Sequence, residues 1–177
     1  MTDDERRRAV SLARRALEAR VRRTPAPSAE RGGEFDRHAG AFVTIYANGE
    51  LRGCLGRIDT RWPLGRTIAH LGEAVADEDP RFPAVVPAEL SAIDVEVSVL
   101  TPERDVRRLE EIEVGRHGLI VEQGVRLGLL LPQVATGRNW SAREFVEQTC
   151  VKAGLPRDAW ERGARLLVFE AEVFGER

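Results

Sequence analysis

Phe42-Val43-Thr44-Ile45-Tyr46-Ala47-Asn48-Gly49-Glu50-Leu51-Arg52-Gly53-Cys54-Leu55 is the stretch on which the fold turns. Its opening residues, Phe42 to Tyr46, are β-branched or aromatic and predict a strand. Asn48-Gly49 is the residue pair that a two-residue hairpin turn favours, because both of its central positions need positive φ. A returning strand, Glu50 to Leu55, follows and carries Cys54 near its end.

Working outward, Asp3 to about Arg23 reads as a charged amphipathic helix with Val10, Ala13, Leu17 and Val21 on one side. Thr24-Pro25-Ala26-Pro27-Ser28 and Gly32-Gly33 mark a long loop. Leu64 to Ala76 has Ile68, Leu71 and Val75 at helical spacing, with Asp79-Pro80 as its stop signal. Ile93, Val95, Val97 and Val99 alternate with Asp94, Glu96 and Ser98, the pattern of a half-buried strand. The plan then starts again. Leu119-Ile120-Val121 runs to a turn at Gln123-Gly124, and Arg126 to Leu131 returns. Ser141 and Glu144 form a capping box for a helix to about Ala153, stopped by Gly154 and Pro156. Leu166-Leu167-Val168-Phe169 and Val173-Phe174 end the chain as a strand. Strand, turn, strand, helix, strand thus occurs twice, which predicts an internal duplication. In it Asn48-Gly49 matches Gln123-Gly124, and Arg52-Gly53 matches the Arg126-Leu127-Gly128 region.

Leu51-Arg52-Gly53-Cys54-Leu55-Gly56 sets one thiol between two glycines, with Arg52 and Arg57 on either side. A thiol that only fills a core sits more naturally among Val, Ile and Leu. Glycines leave room for backbone or ligand to approach the sulfur, and nearby guanidinium groups favour the nucleophilic thiolate. A glycine-rich turn can also hold an anion through its amides, so Gly53, Gly56, Arg52 and Arg57 are candidate ligand-binding residues.

The same hexapeptide resembles the signature Leu-Arg-Gly-Cys-Ile-Gly of the AMME-region candidate family, the AMME component of the AmmeMemoRadiSam set. Further blocks follow in the family's order: Asp79-Pro80-Arg81-Phe82-Pro83, Val97-Ser98-Val99-Leu100, and Val114-Gly115-Arg116-His117-Gly118-Leu119-Ile120-Val121. Leu129-Leu130-Leu131-Pro132-Gln133-Val134-Ala135 and Cys150-Val151-Lys152-Ala153-Gly154-Leu155 complete the set. Leu55 stands in place of the usual Ile, and Arg57 where Ser or Thr is common. The resemblance implies an α+β fold of two related β-α units sharing one curved mixed sheet, with a ligand-accepting cleft between a larger and a smaller subdomain. It implies one AMME-type domain over residues 1–177, with a helix and loop over 1–40 and the duplicated units over 41–177. It places the Cys54 motif on that cleft. It also implies work alongside a Memo-type protein and a radical SAM enzyme.

The 177 residues hold 27 Lys and Arg against 29 Asp and Glu, a net charge of −2. That balance offers no general attraction to nucleic acid or anionic lipid. No run approaches the ~18 apolar residues of a membrane span, and the charged start lacks a signal peptide's apolar stretch. A soluble, cytoplasmic protein with no nucleic-acid or membrane partner is expected. CxxC, HxH and HExxH spacings are missing, as are phosphate-loop, dinucleotide and GxSxG fingerprints, so neither metal nor other cofactor is expected. His117, flanked by Gly115 and Gly118, is the best candidate to carry protons for a thiol, against a role in fixing its loop. Arg81, in a proline-bracketed turn, and Gln133, after Pro132, are further candidate ligand contacts. Cys150 and Trp140 read as core, and His70 as a packing residue.

Two functions stay open. In one, Cys54 is the nucleophile or transient acceptor of an enzyme or thiol carrier acting on a small molecule or peptide. In the other, the Leu51–Gly56 motif shapes the pocket of a non-catalytic ligand-binding or adaptor module. A homodimer is compatible with either, and so is a purely structural Cys54.

Overall fold

The computed structural model describes residues 1–58 and 61–176. The chain divides into two compact units: Met1–Leu100 with Glu172 onward, and Thr101–Ala171. In the first, helix α1 (Asp3–Arg22) is opened by Thr2, whose side chain and Glu5 form a reciprocal capping box. Helix α2 (Leu64–Ala74) crosses α1 where Gly72 meets Ala13 and Ala16. An added Cβ at Gly72 would lie 2.7 Å from the Ala13 carbonyl oxygen. Both helices bury their apolar sides, Leu12 and Leu17 on α1 and Leu64 and Ile68 on α2, against a four-stranded sheet.

That sheet has the order β2-β1-β3-β8, formed from β1 (Ala41–Ala47), β2 (Glu50–Arg57), β3 (Ile93–Leu100) and β8 (Ala171–Gly175). Asn48 and Gly49 have φ of 53° and 87° and make the tight turn that their types predict. Ala41, Val43 and Ile45 point into the core with no exposure, and Val95, Val97 and Val99 beside them are buried too. Between Tyr46↔Leu51 and Ile45↔Gly53, Arg52 is an extra residue, a β-bulge.

The second unit carries β4 (Arg104–Val106), β5 (Gly118–Gln123), β6 (Arg126–Leu130) and β7 (Arg165–Phe169) in the order β4-β7-β5-β6. A short helix, α3 (Pro132–Thr136), leads into α4 (Ala142–Lys152). Ser141 and Glu144 cap α4 as the sequence predicts, and Gly154 (φ 72°) follows its end. Phe145, Val146 and Cys150 on α4 meet Leu119, Val121 and Val168 in this unit's own core.

The α+β class is as expected, but the strands form two separate four-stranded sheets, not one shared sheet. Each sheet closes around its own core, since each has a helix to cover one face. The terminal run is two strands rather than one: β7 completes the second sheet and β8 the first. Thr101 and Glu170 pin the chain between them, with Thr101 N donating to the Glu170 carbonyl and Glu170 N to Thr101 Oγ1, both at 2.9 Å. The second hairpin turns at Gly124-Val125, one residue later than expected, because Gln123 pairs with Arg126. Of the two turn residues only Gly124 has positive φ, 62°, the conformation of a type II′ turn.

Counted from the two turns, Ile45↔Gly53 and Val121↔Gly128 are the same position in the two hairpins. Both glycines admit the end of a helix. A Cβ at Gly128 would lie 2.5 Å from Ala153 N and 2.6 Å from Thr149 O, whereas one at Gly53 would lie 3.2 Å from Val75 O. Gly128→Ala is therefore expected to cost roughly 1–3 kcal/mol through forced displacement of α4. Gly53→Ala should be milder, because reduced freedom of the unfolded chain offsets part of its crowding. Thermal denaturation of the two variants checks this order, and an equal or reversed loss would refute the packing argument.

Candidate functional site

β2 is an edge strand, and Cys54 pairs with Thr44 in the neighbouring β1. The outward polar groups of Cys54 are both taken by side chains of the loop after α2. Cys54 N donates to Asp79 Oδ2 at 2.9 Å, and Arg81 Nη2 donates to the Cys54 carbonyl at 3.3 Å. Arg81 in turn grips Asp79 through Nε at 2.9 Å and Nη2 at 2.7 Å. Arg81 N closes an Asx turn onto Asp79 Oδ1 at 3.1 Å. Asp79 is buried, yet its carboxyl is held well below the usual carboxylate range. The Arg81 guanidinium is the largest cause, opposed by burial and assisted by the amides of Cys54 and Arg81. Arg81 is raised mainly by the same pairing.

Cys54 itself is half-buried, and Thr44 Oγ1 donates to its Sγ at 3.2 Å. A pair whose backbone groups both point away brings its side chains closest together in an antiparallel ladder, which accounts for this contact.

The arginines next to Cys54 in sequence do other work. Arg52 Nε donates to Glu89 Oε1 at 2.8 Å and Nη2 to Oε2 at 3.1 Å, while Nη1 reaches the Pro83 carbonyl at 2.9 Å. Arg57 lies over the Trp62 ring, 3.9 Å from its centre, and Arg66 lies 4.2 Å from the same ring. His70 is edge-on to Trp62. The guanidinium that reaches Cys54 is Arg81, from the Asp79–Pro83 block, and it does so at the carbonyl. The glycines are accounted for by packing: Gly53 faces the end of α2, and the space above Gly56 holds the Phe42 ring, 1.9 Å from where a Cβ would stand.

His117 and Gln133 belong to the second unit. His117 is buried, its Nδ1 accepts from Glu113 N at 3.0 Å, and its Nε2 lies 3.7 Å from Glu170 Oε1. Those contacts fix the Glu113–His117 turn. Gln133 is exposed in the first turn of α3, where its carbonyl accepts from Gly137 N and Thr136 Oγ1. Cys150 is buried in the core, and burial pushes its thiol up. Trp140 packs on the same core. Among the described residues, no three of His, Cys, Asp and Glu are grouped to hold a metal ion, and no helix is long and apolar enough to cross a membrane.

Thr44 and Asp79 were not among the site residues expected from sequence. Asp79 had a signal, an acid preceding proline with an arginine two residues on. Thr44 had none, because its partner depends on the bulge. At the equivalent register the second hairpin has Ile120 opposite Leu129, and among the described residues no side chain hydrogen-bonds to Leu129. The fold therefore accepts an apolar pair at this position, and the polar pair in the first unit is an addition to it.

The geometry is that of an α+β protein with a side-chain-braced thiol on one edge strand, and comparison with known proteins gives it relatives. The crystal structure of an uncharacterized protein from Pyrococcus horikoshii superposes with a TM-score of 0.81 at 38% identity, over 100% of this chain and 94% of that one. A Methanosarcina barkeri protein is 43% identical over 100% of this chain and 93% of its own length. One from Methanothermobacter thermautotrophicus is 43% identical over 99% and 96%. The profile of the AMMECR1 family matches residues 10–174, and the chain belongs to that family.

The Asp79 brace makes a pH-dependent contribution to stability. Its carboxyl is depressed in the folded state, so the contribution is complete above the unfolded value of about 3.9 and is lost as pH falls below it. Asp79→Asn is expected to destabilise by about 1–2 kcal/mol at pH 7, the low end for charged hydrogen bonds because Arg81 is half-exposed. Urea midpoints at pH 6 and pH 3 should show the gap from wild type narrowing, and a constant gap would remove Asp79's charge from the account.

Proposed function

We propose that this AMMECR1-family protein is a thiol-dependent enzyme or thiol carrier, with Cys54 Sγ as the nucleophile or transient acceptor for a small-molecule or peptide electrophile. The observation that carries this is the bracing of one half-buried thiol on a strand edge: sulfur by Thr44, amide by Asp79, carbonyl by Arg81. A structural thiol needs none of these, as Cys150 illustrates in its apolar core. A nucleophile gains from all three, because fixed backbone holds the sulfur in one position and a hydroxyl donor favours the thiolate.

Arg81 is the ligand-facing residue in this proposal. Nε and Nη2 are committed to Asp79 and Cys54, and the half-exposed guanidinium leaves Nη1 to meet an anionic group of the substrate. The proposal assigns no part to His117, whose Nδ1 accepts from the Glu113 amide. A working free thiol suits a reducing compartment, and the cytoplasm is the proposed location. The Memo-type and radical SAM proteins are the proposed partners, with radical chemistry on their side.

Alkylation of the native protein by iodoacetamide, followed by mass in a Cys150→Ala background, tests the proposal. Cys54 is expected to take up one adduct at neutral pH without unfolding, and Cys54→Ser to take up none. A thiol that reacts only in denaturant would overturn the nucleophile and leave the motif to a ligand-binding or adaptor module.

A further inference from the structure

We infer that Thr44 is a positioning residue for Cys54: its hydroxyl holds the sulfur of the reactive thiol as the hydrogen-bond donor to the thiolate. This inference rests on the thiol-dependent function proposed above and assigns a part of that site beyond the family motif.

Three observations carry it. The first is contact: Thr44 Oγ1 lies 3.2 Å from Cys54 Sγ, and Thr44 is 7% exposed, so the hydroxyl is withdrawn from water and turned to the sulfur. A buried hydroxyl without a partner costs stability, and among the described residues Sγ is the partner this one has. The second is the internal comparison. Val43 and Ile45, on either side of Thr44, match Leu119 and Val121 in the second hairpin, and all four are buried apolar residues. Thr44 stands opposite Cys54 where the second unit has Ile120, on a face where Phe42 and Tyr46 likewise differ from Gly118 and Glu122. The third is the register. With uninterrupted pairing Thr44 would face Gly53, and the bulge at Arg52 moves Cys54 opposite it instead.

The charged groups around the sulfur come from two elements besides its own strand. Asp79 and Arg81 face it from the loop after α2, and Glu96 stands beside Thr44 on β3, where its carboxylate accepts from the Tyr46 hydroxyl. Arg81 and Asp79 pair with each other and bind the Cys54 backbone. That leaves the neutral hydroxyl as a direct means of favouring the anion. A hydrogen bond to a charged group, once removed, shifts the midpoint of a titration by about one unit. At fixed pH below the midpoint the thiolate then falls about tenfold. Its higher basicity recovers part of the rate, so alkylation should slow by roughly threefold.

The variants are Thr44→Val, which keeps the side chain's shape without the hydroxyl, and Thr44→Ser, which keeps the hydroxyl without the methyl. Both are made in the Cys150→Ala background and alkylated with iodoacetamide across pH 5 to 10, with thermal midpoints measured in parallel. Thr44→Val is expected to move the pH–rate midpoint of Cys54 up by about one unit and to slow alkylation at neutral pH about threefold. Its thermal midpoint should hold or rise, as an apolar residue suits this position. Thr44→Ser should restore both the midpoint and the rate. Thr44→Val with an unmoved midpoint would overturn the inference while leaving a reactive wild-type Cys54, and the proposed function, intact. A Thr44→Val loss that the serine does not restore would also overturn it, by making the contact a matter of packing. A wild-type thiol inert in the native protein would overturn both proposals, and that outcome is read from the parent alone.

Discussion

One extra residue in one strand decides which way Cys54 faces. Side chains alternate across a sheet, so a single-residue slip moves each later side chain to the other face. Without the bulge at Arg52, Cys54 would sit opposite Val43 and point into the helix-covered core; with it, Cys54 sits opposite Thr44 on the other face. The bulge is held by its own side chain. Arg52 is bound to Glu89 by two hydrogen bonds and to the Pro83 carbonyl by a third. Glu89 also accepts from Val86 N at 2.8 Å, and the Arg52 pairing leads in keeping its carboxyl ionised. The loop from Asp79 to Glu89 is therefore tied to β2 at both ends, by Arg52 at the bulge and by Asp79 and Arg81 at Cys54. The arginine beside the cysteine acts through the backbone, setting the face on which the sulfur appears.

The two hairpins separate what the fold requires from what has been added to it. In both, the inward residues of the first strand are apolar, and a glycine two positions beyond the turn's flanking pair lets a helix end approach. In both sheets an 11-residue helix lies between the hairpin and a strand that pairs with the hairpin's first strand, with the short α3 preceding it in the second unit. Only the first has the bulge, the Thr44–Cys54 pair and the Asp79–Arg81 clamp. A fourth strand completes each sheet, and each is supplied from the chain just after the other unit's third strand: β4 follows β3 but pairs with β7, while β8 follows β7 but completes the sheet of β3.

Much of this was legible in local chemistry. Asn48-Gly49 specified its turn, Ser141 and Glu144 specified the start of α4, and the alternation from Ile93 to Val99 specified a strand with one buried face. What escaped lacked a local signature. β4 is three residues, Arg104-Asp105-Val106, too short and polar to show periodicity. Its pairing with β7 is supported across the strands by Arg165, which grips Asp105 at 2.6 and 2.8 Å. The split between β7 and β8 depends on which sheet has a free edge, a property of the assembled fold. Arg52 and Arg57 flank the thiol in sequence, yet their guanidinium groups meet Glu89 and Trp62, and it is Arg81 that reaches the Cys54 backbone. Nearness along a strand is not nearness in space, since neighbouring side chains in a strand diverge and the loop that returns to the edge can be 25 residues away, as Asp79 is from Cys54.

The site places a carboxylate where burial opposes its charge. A buried carboxylate pays a desolvation penalty, and burial is indeed the one cause pushing the Asp79 carboxyl upward. Four hydrogen bonds outweigh it: two from the Arg81 guanidinium and one each from the amides of Cys54 and Arg81. An edge strand can be protected more simply, by a charge on the strand or by a covering apolar residue. Here the protection passes through the two backbone groups of a single residue, while a polar side chain is kept under its sulfur where the sister hairpin has isoleucine. Proteins depart from their own local rules chiefly where function asks for it. Arg52, Thr44 and Asp79 all act on Cys54: the bulge sets its face, the hydroxyl meets its sulfur and the carboxylate holds its amide.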